Sequence, residues 1–422
     1  MASEWRLRRL DELGFVGRGK SRHRPRNDER LYGGPYPFVQ TADIMAADPY
    51  ITNYSQTYSE FGLQQSKMWG PNTLCMTIAG ANTARTAILK IQACFPDSVV
   101  GFVADKTKAD LHFVKYSLDL MKSKFLAVSR GATQDNLSLD KLLSFPLRVP
   151  DLAIQQRIGA VLSAYDDLME NSARRIKILE QMAQMLYREW FVNFRFPDKE
   201  KATRTASENG MIPAGWKVSR MDEVAEVIDC LHSKKPQHMD NGTRLLLQLF
   251  NIGESGELDL SKKFLIDDST YKLWTSRIEV RSGDCVVTNV GRIAAVAQIP
   301  EQVHAALGRN MTAIRPRKIK PTFLIEYLLS PLMTTEVAKK KDAGAIMDSL
   351  NVKGIVRLSV PVPPSSLMNR FEEIARPMRR ETEVLVQKNL NLRATRDLLL
   401  PKLVSGEISV EKFETEAAAQ TV

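Results

Sequence analysis

The sequence predicts an α+β protein in which two similar mixed α/β domains alternate with two long antiparallel helices that form a coiled coil. Two observations support this prediction. First, two stretches repeat apolar residues in alternating steps of four and three, which is the pattern of a helix that packs along another helix. Second, the chain aligns weakly with itself along its length when it is shifted by about 211 to 213 residues.

The first apolar stripe runs from Asp151 to Trp190, and charged and polar residues fill the other faces of the predicted helix. Pro150 and Asp151 supply a start signal, and Pro197 supplies a stop signal. About 40 residues at ~1.5 Å each predict a rod of roughly 60 Å, which cannot bury its stripe against itself. The apolar positions that we expect in the helix interface are Ile158, Leu162, Tyr165, Met169, Ile176, Leu179, Leu186 and Trp190.

The second stripe follows Pro363 and Pro364 and supplies the partner for the first. Pro377 lies within it and predicts either a kink or a late helix start. Glu381 and Lys388 interrupt its apolar positions. Either stripe alone is typical of an ordinary core helix, but two stripes at the ends of two similar segments favour a pair. The positions that we expect in the interface are Phe371, Ile374, Leu385, Leu392 and Leu399.

The self-alignment divides the chain into two copies of one plan. The matching segments, first copy against second, are Trp5–Leu13 with Trp216–Val224, Leu74–Gly80 with Cys285–Gly291, and Pro146–Pro150 with Ser359–Pro363. The polar segment between the copies indicates a linker. The predicted boundaries are a first domain at 1–149, a long helix at 150–197, a linker at 198–215, a second domain at 216–362, a second long helix at 363–411 and a disordered tail at 412–422.

Composition indicates a soluble globular protein with a polyanionic partner. The 422 residues are 44% hydrophobic and 26% charged, and no run of about 18 apolar residues is long enough to span a membrane. The charged N-terminus does not fit a signal peptide. The four cysteines form no CxxC pair and predict free thiols in the cytoplasm. The net charge of +10 favours a nucleic acid as partner, although charge alone is weak support.

Residues Gly14 to Ser21 satisfy the P-loop pattern GxxxxGK[ST], which in a nucleotide site lies between a buried strand and a helix. Here the charged segment Trp5–Leu13 precedes the pattern, and Pro25 would interrupt the helix that should follow it. A P-loop NTPase that uses Lys20 and Ser21 is therefore an alternative that the context disfavours.

The same segment is basic and carries no acidic residue, and Gly17 and Gly19 predict that it is flexible. Such a loop can neutralise phosphates or enter a groove of DNA, although a solvated surface loop is the other interpretation. The candidate DNA contacts in it are Arg18, Lys20, Ser21, Arg22, Arg24 and Arg26. The residues at the matching place of the second copy are Lys234, Lys235 and His238.

Polar side chains at the ends of predicted strands form a second set of candidates, because Arg, Gln and Asn can bond base edges in pairs. The first copy offers Gln40, Thr41, Asp43, Asn82, Thr83 and Arg85. The second copy offers Gln248, Asn251, Asn289, Arg292, Arg309 and Asn310. Each of these residues taken singly is more often structural than a base contact.

Sequence signatures of catalysis are absent from the chain. We find no NPPY-like or DPPY-like tetrapeptide, no glycine-rich S-adenosylmethionine loop and no GxSxG or HExxH pattern. The five histidines show no metal-ligand spacing. We therefore predict no catalytic residue, no metal and no cofactor bound by this chain.

Five segments together are similar to a known family: Gly131–Leu137, Phe145–Ile158, Glu180–Phe194, Ile212–Trp216 and Leu398–Ile408. With the doubled layout, they resemble the DNA-specificity (S) subunits of type I restriction–modification systems. The resemblance covers nearly all of the chain and is strongest in the long helices. One departure is the start of the second helix at Pro364–Phe371, which lacks the Glu-Gln pair usual in the family.

The resemblance implies that each globular unit is a target-recognition domain for one half of a split DNA sequence, with the helices as spacer. It implies two methyltransferase (M) subunits that flip and methylate an adenine in each half, and restriction (R) subunits that use ATP. S-adenosylmethionine and ATP with Mg²⁺ would bind to those partners. Because the two units differ in sequence, we predict an asymmetric two-part target, and a rod of roughly 60 Å bounds the separation at roughly 18 base pairs.

Two other functions remain open. One is the P-loop NTPase, which binding of ATP that depends on Lys20 would favour. The other is a coiled-coil scaffold that joins proteins without DNA. Loss of DNA protection after neutralisation of Arg22, Arg24 and Arg26 in the assembled complex would argue against that scaffold.

Overall fold

The computed structural model describes residues 5–80, 82–129, 136–197, 204–207, 210–342 and 349–410. The predicted tail and part of the predicted linker lie outside these residues. The chain forms two units. Unit 1 contains Met1–Asn171 and Asn391–Val422, and unit 2 contains Ser172–Leu390. Each long helix therefore contributes to both units.

Unit 1 alternates short strands with short helices. In chain order the elements are β1 (Arg6–Arg8), α1 (Leu10–Leu13), β2 (Gly14–Arg18), β3 (Tyr32–Phe38), α2 (Thr41–Ala46), β4 (Tyr50–Ile51), β5 (Gln56–Tyr58), α3 (Glu60–Gln64), β6 (Met68–Trp69), β7 (Leu74–Thr77), β8 (Thr86–Leu89), β9 (Ala93–Cys94), β10 (Val99–Ala104), α4 (Leu111–Leu120), α5 (Lys122–Ser129), α6 (Leu139–Leu143), β11 (Leu147–Val149) and the long helix α7 (Leu152–Tyr187). One sheet has the order β2-β10-β7-β8-β4, a second has the order β5-β3-β9-β6, and β1 pairs with β11. A π-helical turn, Arg188–Val192, continues α7.

Unit 2 repeats this arrangement after a hairpin that lies within the predicted linker. Its elements are β12 (Arg204–Ser207), β13 (Gly210–Pro213), β14 (Lys217–Arg220), α8 (Met221–Val224), β15 (Ala225–Asp229), β16 (Arg244–Leu247), β17 (Leu265–Ile266), α9 (Asp268–Trp274), β18 (Glu279–Val280), β19 (Cys285–Thr288), β20 (Val296–Gln298), β21 (Ala305–Leu307), β22 (Met311–Pro316), α10 (Pro321–Leu328), α11 (Pro331–Lys340), α12 (Val352–Val356), β23 (Ser359–Val362) and the long helix α13 (Ser365–Ser405). Its sheets have the orders β15-β22-β19-β20 and β17-β16-β21-β18, and β14 pairs with β23.

The strand orders confirm the internal repeat that the sequence predicted. β15-β22-β19-β20 corresponds to β2-β10-β7-β8, and β17-β16-β21-β18 corresponds to β5-β3-β9-β6. In the second sheet of each unit the central pair is parallel, β3 with β9 and β16 with β21. Even the first short helix is repeated, since Arg9 donates to the Asp11 carboxylate at 2.8 Å and Arg220 donates to the Asp222 carboxylate at 2.8 Å.

The two long helices run antiparallel, as their contacts in unit 2 show. Arg175 of α7 donates to the Glu381 carboxylate of α13 at 2.8 Å, whereas further along α7 the Tyr187 ring lies 6.0 Å from the Phe371 ring. Positions later in α7 therefore face earlier positions in α13. In unit 1, Leu162 of α7 is fully buried in the same apolar core as Leu403 of α13.

Most of the predicted interface positions are buried or half-buried, but one is wrong. Ile374 is 40% exposed, whereas the next residue, Ala375, is fully buried. Arg379 and Thr382 are buried further along the helix, whereas Glu381, which interrupts the predicted stripe, is half-buried. The buried face of a straight helix drifts away from a strict seven-residue repeat. In α13 this face therefore passes through Ala375 and Arg379.

Of the two alternatives that Pro377 predicts, a kink or a late helix start, the late start is wrong. α13 begins at Ser365 and continues through both Pro377 and Pro401 without a break in its assignment. The predicted interface positions of the first stripe, in α7 and in the π-helical turn that follows it, are all buried or half-buried. Ile158, Leu162, Met169 and Trp190 are buried, and Tyr165, Ile176, Leu179 and Leu186 are half-buried. In α13, Phe371 and Leu385 are buried, and Leu392 and Leu399 are half-buried.

A buried ion pair ties α13 to α10 within unit 2. The Arg379 Nε donates to Glu326 Oε1 at 2.7 Å, and the two side chains are 8% and 0% exposed. Burial raises the pKa of Glu326 above its ordinary value, although the Arg379 charge opposes that rise.

Glu180 of α7 is also buried, and its pKa is raised to about 7 by burial and by the charge of Glu257.

We expect Arg379→Met to lower the free energy of unfolding of unit 2 by about 3–5 kcal/mol, because Glu326 would be left buried without its partner. The matched control is Arg380→Met, since Arg380 is exposed and lies 3.3 Å from Glu301. That change should cost less than ~1 kcal/mol. Chemical denaturation followed by tryptophan fluorescence measures both effects, and equal losses for the two variants would contradict the assignment.

Candidate nucleic-acid interface

The basic loop after β2 is anchored along its backbone. The Lys20 N–H donates to the Phe95 carbonyl at 3.1 Å, and the N–H groups of Arg22 and His23 donate to Gln65 Oε1 at 2.5 and 3.0 Å. A Cβ placed on Gly19 would lie 2.2 Å from the Phe95 carbonyl oxygen, so glycine is required there for close packing. The prediction that Gly17 and Gly19 make this loop flexible is therefore wrong.

The structure also rejects a P-loop. Gly14–Arg18 is strand β2, and the next helical turn is a short 3₁₀ segment, Glu29–Leu31. Ser21 is buried, and its hydroxyl lies 3.4 Å from the Tyr58 hydroxyl. Ser21 is therefore wrong both as a nucleotide ligand and as a DNA contact, because its oxygen is turned into unit 1.

Three arginines of the loop, Arg18, Arg24 and Arg26, converge on Asp97. The Arg18 guanidinium donates to the Asp97 carbonyl at 2.9 and 2.6 Å, and Arg26 donates to the Asp97 carboxylate at 2.9 Å. Arg24 lies 3.9 Å from the same carboxylate. Lys20 and Arg22 are exposed, and their side chains show no ion pair among the contacts of the described residues. The loop therefore presents clustered cations whose charge one aspartate only partly offsets.

The predicted polar residues of unit 1 mostly hold turns. Asp43 accepts from the Gln40 N–H at 2.7 Å, and Gln40 Nε2 donates to Gln56 Oε1 at 2.5 Å, while Thr41 begins α2. Thr83 is buried and donates to the Gly80 carbonyl at 2.7 Å.

Asn82 and Arg85 belong to the turn between β7 and β8. The Asn82 carbonyl accepts from the Thr77 hydroxyl, and the Arg85 N–H donates to the same hydroxyl oxygen at 3.0 Å. Arg85 is half-buried and lines a polar cleft of 320 Å³ together with Lys115 and Asp119. Thr83 lies in the same turn and is wrong as a DNA contact, because its side chain is buried.

In unit 2 the predicted basic residues lie on an exposed segment before β16. The Lys235 ammonium lies 4.8 Å from the centre of the Phe264 ring. His238 Nδ1 accepts from the Leu265 N–H at 3.1 Å, and Lys234 is exposed. This segment presents cations, as the loop of unit 1 does.

The second polar set of unit 2 is assembled at one edge of the sheet, where the parallel strands β16 and β21 end. A Cβ on Gly308 would lie 2.0 Å from the Leu247 carbonyl oxygen, which places Gly308 beside the end of β16. The Asn289 N–H donates to the Asn310 carbonyl at 2.8 Å, and Arg292 donates to the Gly253 carbonyl. We call the residues 248–253, 289–292 and 308–310 the strand-end corner.

Buried members of the strand-end corner form its frame. Asn251 is fully buried and donates to the carbonyls of Asp259 and Lys262 at 2.8 Å each. Its Oδ1 accepts from the Gln248 N–H at 2.9 Å, and Gln248 is itself buried. Asn289 Nδ2 donates to the Leu350 carbonyl at 2.8 Å. Gln248 and Asn251 are therefore wrong as base contacts, since their polar atoms are used inside the unit.

Exposed members of the corner remain available to a ligand. Arg292, Arg309 and Asn310 are exposed, and Asn310 has a left-handed backbone with φ of 62°. Leu249 and Phe250, which the sequence analysis did not select, are also exposed. No sequence signal separates them from buried strand residues, because they continue the apolar run of β16.

One cluster has the side chains of a metal site. The ligand atoms of Asp229, Cys230 and His232 lie within 4.8 Å of one another. However, the Arg277 guanidinium lies 3.6 Å from the Asp229 carboxylate and donates to the Cys230 carbonyl at 2.8 Å. This cation compensates the carboxylate, so the arrangement does not favour a metal ion.

None of the helices in the described ranges is both long and apolar enough to cross a bilayer.

Comparison with known proteins identifies relatives of this chain. Residues 2–181 match the family model described as the type I restriction modification DNA specificity domain. The chain is 22% identical over 423 aligned residues to the type I restriction enzyme MjaIX specificity subunit of Methanocaldococcus jannaschii, covering 97% of this chain and 95% of that protein. It is 26% identical to the type I restriction enzyme EcoBI specificity subunit of Escherichia coli, covering 74% and 73%.

A solved structure has the same fold. The S subunit of a type I restriction–modification system from M. genitalium superposes with a TM-score of 0.61 at 16% identity, over 95% of this chain and 96% of that one. The relatives are specificity subunits, which is the class that the sequence predicted in place of an enzyme.

Proposed function

Because this chain belongs to the family of DNA-specificity subunits of type I restriction–modification systems, we propose that it recognises a two-part asymmetric DNA target, one half with each unit. One observation carries the asymmetry. The same turn of the repeated fold holds Gln40-Thr41-Ala42-Asp43 in unit 1 and Gln248-Leu249-Phe250-Asn251 in unit 2. The first and last residues of the turn are similar in the two units, but the two central residues differ. The two units would therefore offer different groups to base edges.

The DNA-facing surface proposed for unit 1 is the anchored basic loop. Because its backbone is held by Phe95 and Gln65, little conformational entropy is lost when it binds a phosphate backbone. Cations placed in this way supply the salt-dependent part of the affinity.

The partners are proposed from the same family. Two methyltransferase (M) subunits would carry S-adenosylmethionine and modify an adenine in each half, and restriction (R) subunits would carry ATP and Mg²⁺. The complex would act in the cytoplasm. We also propose that α7 and α13, which contribute to both units, set the number of unread base pairs between the half-sites.

An exposed apolar stripe on α7 is the surface that we assign to a methyltransferase subunit. Ile178, Met182 and Met185 are 54%, 46% and 65% exposed, and their spacing places them on one helix face. Beside this stripe lies a groove of 800 Å³ between α7 and the helices α10 and α11, lined by Met185, Leu329 and Pro331 among others. Methionine is common at surfaces that bind partner helices.

We expect Arg22→Ala with Arg26→Ala in the assembled complex to weaken target binding and to lower the slope of log K against log salt by about two. The matched control is Lys106→Ala with Lys108→Ala. Lys106 and Lys108 follow Ala104, which pairs with Gly14 at one end of the β2–β10 strand pair. The basic loop follows Arg18, which pairs with Val100 at the other end. Affinity titrations at several salt concentrations measure both pairs, and an unchanged slope for the arginine pair would reject this loop as a DNA contact.

We expect Met182→Asp to prevent co-purification of the methyltransferase subunit, because a carboxylate would be desolvated in the contact. The fold should persist, since the side chain is about half exposed. The control is Met211→Asp on β13, where the methionine is 52% exposed. Retention of the partner by the Met182 variant would contradict the assigned surface.

A further inference from the structure

We propose that Phe250, supported by Leu249, is a base-contacting residue of unit 2 that packs against the C5-methyl group of a thymine in the major groove. This inference rests on the proposed function, because it names the chemistry by which unit 2 recognises its half-site. Neither residue was expected from the sequence.

Both side chains project from unit 2 without apolar cover. Phe250 is 50% exposed and Leu249 is 38% exposed, and they are consecutive in a 3₁₀ turn, Leu249–Asn251. Two adjacent large apolar side chains at one turn form a contact surface rather than the scattered exposure that is normal for proteins.

The turn that carries them is fixed before any ligand binds. Asn251, at the end of the turn, is fully buried and makes hydrogen bonds of 2.8, 2.8 and 2.9 Å with Asp259, Lys262 and Gln248. Gln248, at its start, is buried against the backbone of Gly308. A rigid aromatic residue loses little entropy on binding, so the frame favours contact by Phe250.

The surroundings of the turn select a polyanion as the occupant. In the parallel pair β16–β21, Leu247 lies opposite Leu307, so the segments that carry Leu249 and Arg309 both leave the sheet at this end. Arg309 is exposed, and Arg292 reaches the Gly253 carbonyl just beyond the turn. Guanidinium groups at the same end of the sheet as the apolar pair suit phosphates and guanine edges. An apolar protein partner would leave these charges unpaired.

Within duplex DNA, the chemistry of the apolar pair points to thymine. Among the groups on the base edges of the major groove, only the thymine C5-methyl is apolar. Unit 1 carries Thr41 and Ala42 at the corresponding positions, so the large apolar contact belongs to the second half-site alone.

The test uses the assembled complex and duplexes of its methylation target, in which each thymine of the half-site assigned to unit 2 is replaced in turn by deoxyuridine. Deoxyuridine lacks only the C5-methyl. We expect one replacement to weaken wild-type binding about fourfold, the amount expected for one buried methyl. Phe250→Ala should bind the thymine duplex about tenfold more weakly and should no longer distinguish thymine from uracil at that position.

The matched control is Phe61→Ala, which removes a 39% exposed phenylalanine of unit 1. It should leave the thymine-to-uracil ratio in the second half-site unchanged. If no replacement affects the wild type, or if Phe250→Ala keeps the wild-type ratio, the inference is overturned. A Phe250-dependent rise in 2-aminopurine fluorescence without a uracil effect also overturns it, since that result indicates insertion between bases.

The failure of the proposed function would look different. In that case the wild-type complex would not prefer its methylation target over unrelated DNA, whatever residue stands at 250. A specific wild-type complex that ignores every thymine methyl contradicts only the inference about Phe250.

Discussion

The structure depends on the pairing of two helices that cannot bury their apolar stripes alone. In each unit an arginine of α13 enters the interior and meets a buried carboxylate. Arg396 pairs with Asp166 of α7 in unit 1, and Asp166 also accepts from the Tyr116 hydroxyl at 2.5 Å. In unit 2, Arg379 pairs with Glu326 of α10. Buried pairs of this kind add little net stability, but they penalise any other register of the helix, because a shift leaves a charge unpaired.

In the proposed function, the repeat allows one architecture to recognise two unlike half-sites. The order of four strands in the first sheet, the whole of the second sheet with its parallel central pair, and the first short helix are the same in both units, although unit 1 adds β4 to its first sheet. The two units differ in sequence along their whole length, and these differences include the exposed groups at the ends of strands. Unit 1 offers a basic loop with three arginines around Asp97, whereas unit 2 offers an exposed apolar pair together with the exposed Arg292 and Arg309. In the proposed function, these exposed side chains determine which half-site each unit recognises.

Much of this fold could be predicted from the sequence, because apolar periodicity and internal similarity can be seen in the order of the residues alone. The stripe of α7 and the repeat are examples. The shift from Ile374 to Ala375 could not be predicted, since the buried pair of Arg379 with Glu326 on the same face is a tertiary contact that the sequence does not show. The site was predicted less well. Gln248 and Asn251 have the right side chains for bases, yet their hydrogen bonds are used in the frame that presents Leu249 and Phe250.

The most direct test of two-part recognition is the mapping of methylated adenines in DNA from cells with and without this gene. Our account predicts methylation that depends on the gene and lies in two different short sequences separated by a constant number of unspecified base pairs. A single continuous site, a palindrome with identical halves, or no difference between the two DNA samples would contradict it.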